Sequence, residues 1–388
     1  MLFLRVASAA SIALVVGCAG VSPRPELANA DSLPIRELSA PEQQELAAIL
    51  DRAIHAVVRK DYAEADAEAR RALEIDPRAA RARSVLGMVS LQRANLRDPP
   101  DVFELNAGEA EMLLAAQIAP DDALVAWMRA VFLAETGHLS AAAAAAEAAL
   151  LRATGAPASD RAALLAIAGN SHYELGEERA ALPHLQAYFG EEPDDAATAF
   201  RIGSCLLRIA AVPEGAKAIE VAQIRAEDAA RAFARSAELA PGDEDAALAA
   251  GAALVRAADL AGQRRDVPGP ERRMLQEQRW QQAEKQFHAA AERFPQSAEP
   301  IFRIGVIAET RGDAAAAHQA YLQALGRDLA HLGSLLNLAA LFEASGDANA
   351  AGSLLERALA ADTARPGLSA DERRRLQERL RSGPAKRD

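Results

Sequence analysis

Cysteine is almost absent: the 388 residues hold two, Cys18 and Cys205. Paired CxxC metal or redox elements are therefore excluded. Aromatic residues are also scarce, at 4% of the chain against 51% hydrophobic overall, with two Trp and four Tyr. The apolar content is thus mostly Ala and Leu, which favour helix over strand, and the expected fold class is all-α. Lysine occurs only at 60, 217, 285 and 386, so basic charge is carried by Arg. Acidic residues outnumber basic ones, 55 to 43, for a formal net charge of −12. With no basic stripe to neutralise phosphates, nucleic acid is excluded as an expected partner. Long apolar runs are missing too, apart from Val6 to Val16, VASAASIALVV, which is too short to cross a bilayer comfortably.

That run follows Arg5 and suits the apolar core of a secretory leader. It ends in Val15-Val16-Gly17-Cys18, which resembles the lipobox of bacterial lipoproteins. The resemblance implies removal of residues 1–17 and lipidation of the Cys18 thiol, with Ala19 resembling an outer-membrane sorting signal. A leader cut by ordinary signal peptidase, or an uncleaved tether, would leave Cys18 incidental. Pro23, Pro25 and Pro34 punctuate residues 18–40, which read as a flexible tether. With Cys18 acylated no intramolecular disulfide remains, and Cys205, inside an apolar segment, reads as a small buried residue.

The rest of the chain repeats itself. IFRIGVIAETRGDAAAAHQAYLQAL from Ile301 aligns without a gap on LLNLAALFEASGDANAAGSLLERAL from Leu335, pairing Gly312 with Gly346, Asp313 with Asp347 and Ala317 with Ala351, each 34 residues apart. The period, the Gly-Asp turn and the small residues in mid-helix resemble the tetratricopeptide repeat (TPR). The resemblance implies antiparallel helix pairs, A then B, stacked into an α-solenoid. One small-residue column runs through the A helices: Ala53, Gly87, Ala130, Gly169, Gly203, Gly251, Gly305 and Ala339. A second runs through the B helices: Ala65, Gly108, Ala142, Ala181, Ala229, Ala283, Ala317 and Ala351. About eight repeats over 41–365 follow, with Pro77, Pro120, Pro193, Pro241 and Pro295 closing five B helices.

Between the columns of one repeat the spacing is 12 in five repeats and longer in three, which places insertions near 93–107, 210–223 and 259–278. Two readings stand: lengthened helices and loops, or an edge that docks a second partner. Residues 366–388 are expected to form a capping helix and tail, with Ser369 to Glu372 at capping-box spacing.

Motifs that carry chemistry are missing: there is no GxxxxGK, HExxH or GxSxG element. The seven histidines are spread along the chain without ligand spacing, so no catalytic, metal or cofactor site is expected. What the TPR resemblance implies instead is a concave groove lined by A helices. Its matching positions here are Arg81, Ser84, Met88, Trp127, Asn170, Tyr173, Phe200, Ser204, Arg208, Phe302, Glu309 and Glu343. Trp127, Tyr173, Phe200 and Phe302 would form an aromatic path, unless they pack into neighbouring helices. Ala166 stands where a carboxylate-clamp lysine is wanted, so chaperone-tail binding is not expected. The expected function is a non-enzymatic, lipid-anchored scaffold on the periplasmic side of the outer membrane, serving protein partners in assembly of a pilus, secretin or cell-wall machine. A polysaccharide export or synthesis factor is the alternative, and an enzyme built from scattered residues the third.

Overall fold

The computed structural model describes residues 29–152, 158–214 and 217–382. The leader, Cys18, Pro23, Pro25 and most of the loop at Thr154 to Ser159 lie outside them. Among the described residues the regular elements are seventeen α-helices and one short 3-10 turn, Ala30–Ser32, with no strand. They divide into two compact units at Asp195.

The first unit holds four helix pairs: α1 (Ala40–Val58) with α2 (Tyr62–Ile75), α3 (Ala80–Ala94) with α4 (Val102–Ile118), α5 (Ala123–Glu135) with α6 (Leu139–Arg152), and α7 (Ala158–Glu174) with α8 (Glu178–Glu191). The second holds four more: α9 (Ala196–Ala211) with α10 (Ala218–Leu239), α11 (Glu244–Gln263) with α12 (Gly269–Arg293), α13 (Glu299–Thr310) with α14 (Ala314–Arg327), and α15 (Leu332–Ser345) with α16 (Ala348–Ala364). The helix α17 (Ala370–Ser382) follows them. Within each unit every helix packs on its chain neighbour, and in the first unit α1, α3, α5 and α7 also meet in succession. Each unit is therefore an α-solenoid stack of the tetratricopeptide type, since no single pair could bury its apolar face alone.

All sixteen small column residues are buried. The residue four positions after each B-column residue explains why. Where the A column is Gly, that residue is bulky and fills the space: a Cβ on Gly87 would lie 2.8 Å from Met112, on Gly169 2.8 Å from Leu185, on Gly203 2.9 Å from Phe233, and on Gly251 and Gly305 2.5 Å from Phe287 and Tyr321. Where the A column is Ala, the partner is Ala69 beside Ala53, Ala146 beside Ala130, or Leu355 beside Ala339. Gly in mid-helix costs roughly 0.5–1 kcal/mol. Burying a Phe or Leu against it returns roughly 1.5–3 kcal/mol, so the exchange favours the pair. Gly108 goes further, because its Cα faces the backbone: an added Cβ would sit 3.1 Å from the Gly87 carbonyl oxygen.

Five A helices turn into their B helices through one device. Seven residues beyond the A-column residue the chain takes a positive φ, at Gly137, Gly176, Gly312, Gly346 and, without a glycine, Lys60 at φ 60°. The following Asp then caps helix B at three of these turns, with Asp61 accepting from the Glu64 amide, Asp313 from Ala316 and Asp347 from Ala350. The five prolines each stand one residue past a B-helix C-cap, as expected.

The three insertions take different forms. The first is a loop ahead of α4, residues 95–101. The other two are absorbed almost entirely into helix, giving α10, α11 and α12 lengths of 22, 20 and 25 residues. The expected tether also ends sooner than the sequence suggested. Ala30 is buried, its amide donates to Gln117 Oε1 (3.0 Å), and its carbonyl accepts from Arg78 (2.7 Å), so the turn Ala30–Ser32 is docked on α4. At the other end the Ser369 capping box forms, and Leu376 of α17 is buried against the last pair.

Candidate functional site

The groove positions fall into two sets, one per unit. In the first unit the A helices α3, α5 and α7 lie side by side and carry Arg81, Met88, Trp127, Asn170 and Tyr173. Arg81 keeps 49% of its side chain exposed while its Nε donates to Asp122 Oδ2 at 2.7 Å. The other oxygen of Asp122 caps α5 through the Leu124 and Val125 amides, so this arginine braces the start of the neighbouring A helix. Met88 and Trp127 are half-buried, and Trp127 packs against two core clusters, one that includes α3 residues and one that includes Leu164 and Ala168 of α7. Asn170 is half-buried with Oδ1 enclosed and unpartnered. Ser84, by contrast, is fully buried and faces the interior rather than a groove.

In the second unit the matching side chains are largely engaged within the fold. Phe200 packs edge-on to Phe233, ring centres 5.0 Å apart, and Ser204 donates back to the Phe200 carbonyl at 3.0 Å. Phe302 lies among Tyr321, His331 and Gly333. Glu309 accepts from the Tyr321 hydroxyl at 2.5 Å, and Asn337 donates to that hydroxyl at 3.1 Å. Burial, and then the Glu309 carboxylate, hold the Tyr321 phenol protonated far above its usual range. Glu343 pairs with Arg379 of α17 at 2.7 Å. Arg208 is exposed. The four aromatic side chains are thus half-buried, and they divide between the units, Trp127 and Tyr173 in one and Phe200 and Phe302 in the other.

The long helices α10, α11 and α12 carry a polar seam. Arg279 donates to Glu227 at 2.6 Å, Gln223 donates to the same carboxylate at 2.9 Å, and Arg264 reaches Glu220 and Asp266. A shallow cleft of about 330 Å³ opens here, lined by Glu227, Arg231, Leu254, Arg279, Gln282 and Gln286 among others. Its charged floor is already neutralised internally.

A further cluster unites residues that are distant in sequence. Glu147 of α6, His172 of α7 and His184 of α8 place one ligand atom each within 4.8 Å of one another. Glu147 Oε1 lies 3.1 Å from Nε2 of both histidines. The two imidazoles are stacked, 6.0 Å between centres and 8° between planes, and Glu177 Oε2 sits 2.6 Å from the remaining nitrogen of His172. Burial lowers the pKa of His172, but the hydrogen bonds to Glu177 and Glu147 outweigh it and hold the ring above the usual histidine range. Burial likewise raises Glu147, and its two histidine partners pull it below the usual carboxylate range. The expectation that the histidines lack ligand spacing does not hold for this pair, because two antiparallel helices bring positions 172 and 184 to one edge. The proximity of two His in one repeat was the available signal; Glu147, a repeat earlier, had none.

No protein-family model matches the chain, and no curated protein matches it. Among solved structures it is similar to YrrB, described as a TPR protein with an unusual peptide-binding site, at 19% identity over 58% of this chain and 95% of that one, TM-score 0.39. It is similar to PilF of Pseudomonas aeruginosa at 18% identity over 56% of this chain and 93% of that one, TM-score 0.38. Human IFIT1, solved as a dimer with m7Gppp-AAAA, matches at 20% identity over 78% of this chain and 68% of that one, TM-score 0.32. The decisive observations are the chain's own: eight antiparallel helix pairs among the described residues, each with a small buried residue on both helices, make this an all-α protein of tetratricopeptide-type repeats.

Proposed function

We propose that the chain is a non-enzymatic scaffold, held by lipid on Cys18 at the periplasmic face of the outer membrane, that binds protein partners during assembly of an envelope machine of the pilus, secretin or cell-wall kind. The observation that carries this reading is the run of adjoining A helices in the first unit. There Arg81, Met88, Trp127, Asn170 and Tyr173 share successive helices and each keeps part of its surface open, which suits an extended partner laid across them. The anchor rests on the Val15 to Cys18 sequence.

The test is crosslinked affinity capture with the native chain, an Arg81→Glu, Asn170→Ala variant, and a control, Glu74→Arg, on the exposed face of α2. Loss of one envelope protein from the groove variant, with capture kept in the control, is the expected result. Equal capture by all three would remove the groove from the reading, and recovery of polymer in place of protein would favour the polysaccharide alternative. Palmitate labelling lost in Cys18→Ser checks the anchor independently.

A further inference from the structure

Three features of the Glu147, His172, His184 cluster point beyond an ordinary surface ion pair. The first is spacing. A tetrahedral ion with bonds of about 2.0–2.1 Å keeps its ligand atoms roughly 3.3 Å apart; the two Nε2 to Oε1 distances here are both 3.1 Å, and all three ligand atoms lie within 4.8 Å of one another. The second is the outer partner: Glu177 holds Nδ1 of His172 at 2.6 Å, which turns the Nε2 edge toward Glu147 and fixes the tautomer a metal needs. The third is the setting. Helix α6 reads LSAAAAAAEAALLR, so Glu147 is the one acidic side chain on a helix that is otherwise mostly Ala and Leu.

We propose that Glu147, His172 and His184 bind a divalent transition-metal ion of the zinc class, which staples α6 of the third helix pair to α7 and α8 of the fourth. Two imidazoles and one carboxylate suit zinc, cobalt or nickel, whereas magnesium and calcium take oxygen ligands. The side chains of His172, His184 and Glu147 are 13%, 22% and 42% exposed, so the ion enters from solvent and a water completes its shell. The ion takes up the space into which Glu147 Oε1 now projects, and the carboxylate pivots about its own χ angles to make room. Protonation of either Nε2 competes with the ion, since only the neutral ring is a ligand.

The experiment uses the full chain, without an affinity tag and stripped with chelator, titrated with Zn²⁺ by calorimetry and with Co²⁺ by visible absorption. The expected result is one ion per chain, a tetrahedral-type cobalt spectrum, and a rise in melting temperature with zinc that magnesium does not produce. Glu147→Gln keeps the shape of the side chain and removes the anionic ligand; together with His184→Ala it is expected to abolish the cobalt spectrum and the zinc-induced shift. Glu177→Gln keeps all three ligands and is expected to weaken binding by about 10–100-fold at unchanged stoichiometry. Should His184→Ala lose its helical circular dichroism, Glu147→Gln and Glu177→Gln decide the matter alone. Absence of zinc binding up to millimolar metal, or binding unchanged in Glu147→Gln, overturns the proposal.

Discussion

At position 305 a hydrogen stands where a methyl group would meet the Tyr321 ring at 2.5 Å. Helix propensity favours Ala there, yet packing opposes it, and packing prevails because Tyr321 is wholly buried and its hydroxyl is held by Glu309 and Asn337. Gly305→Ala is therefore expected to destabilise the second unit by about 1–3 kcal/mol, read by denaturant unfolding. Lys60 presents the opposite case. It occupies the left-handed turn position that Gly fills in four other repeats, and its side chain is exposed. Lys60→Gly should raise stability by about 0.5–1 kcal/mol, since relief of the left-handed strain exceeds the entropy glycine costs. Both columns were readable in the sequence because they recur at a fixed period. The size match between Gly and its bulky partner was not, since it joins positions on two different helices. The Glu147 cluster was hidden for the same reason: its members lie 25 and 12 residues apart and form no local motif.

Among the elements, the insertions show where spacing stops being informative. A gap of 14 or 20 residues between columns has the same length whether it is loop or helix. The sequence 259–278 is mostly polar, yet all but residues 264–268 is helical: Leu260 is buried against Ala222 and Ala226 of α10, and Arg264 and Arg279 pair with Glu220 and Glu227 of the same helix. The terminal helix was easier to read, from its Ser369 to Glu372 box and Leu376. What fastens it was not visible. Asp362, fully buried, accepts from Arg373 at 2.6 Å and from the Gly367 and Leu368 amides at 2.8 Å, and these bonds hold its carboxyl at about 2. Glu372, bonded to Ser369, is lowered as well. A carboxyl depressed in the folded state stabilises fully above its unfolded value and loses that contribution as pH falls toward its folded one. The docking of α17 is thus expected to weaken between about pH 4 and pH 2. Hydrogen exchange of residues 370–380 should speed up over that window while α13 and α14 stay protected. In Asp362→Asn the faster exchange should already be present at neutral pH.

For the whole molecule, stacking makes stability a sum over adjoining helix pairs rather than one global quantity. Gly305→Ala should accordingly lower hydrogen-exchange protection in α13 and α14 and leave α1 to α4 at native levels; uniform loss across both units would show a single cooperative block instead. The order of pairs and their number followed from periodicity, and the cap from its capping-box spacing. The surface did not, because exposure at a repeat position depends on what the next helix carries: Ser84 and Phe302 hold groove positions by register and interior positions by packing.

The docking of Ala30 on Gln117 and Arg78 also sets a reach. Between Cys18 and Asn29 lie few residues, and a fully extended chain of that length spans roughly 35–40 Å. With lipid on Cys18, as proposed, Ala30 and the α4 flank it docks on could lie no farther than that from the headgroups, so a partner gripped by α3, α5 and α7 would meet the first unit in the layer next to the bilayer.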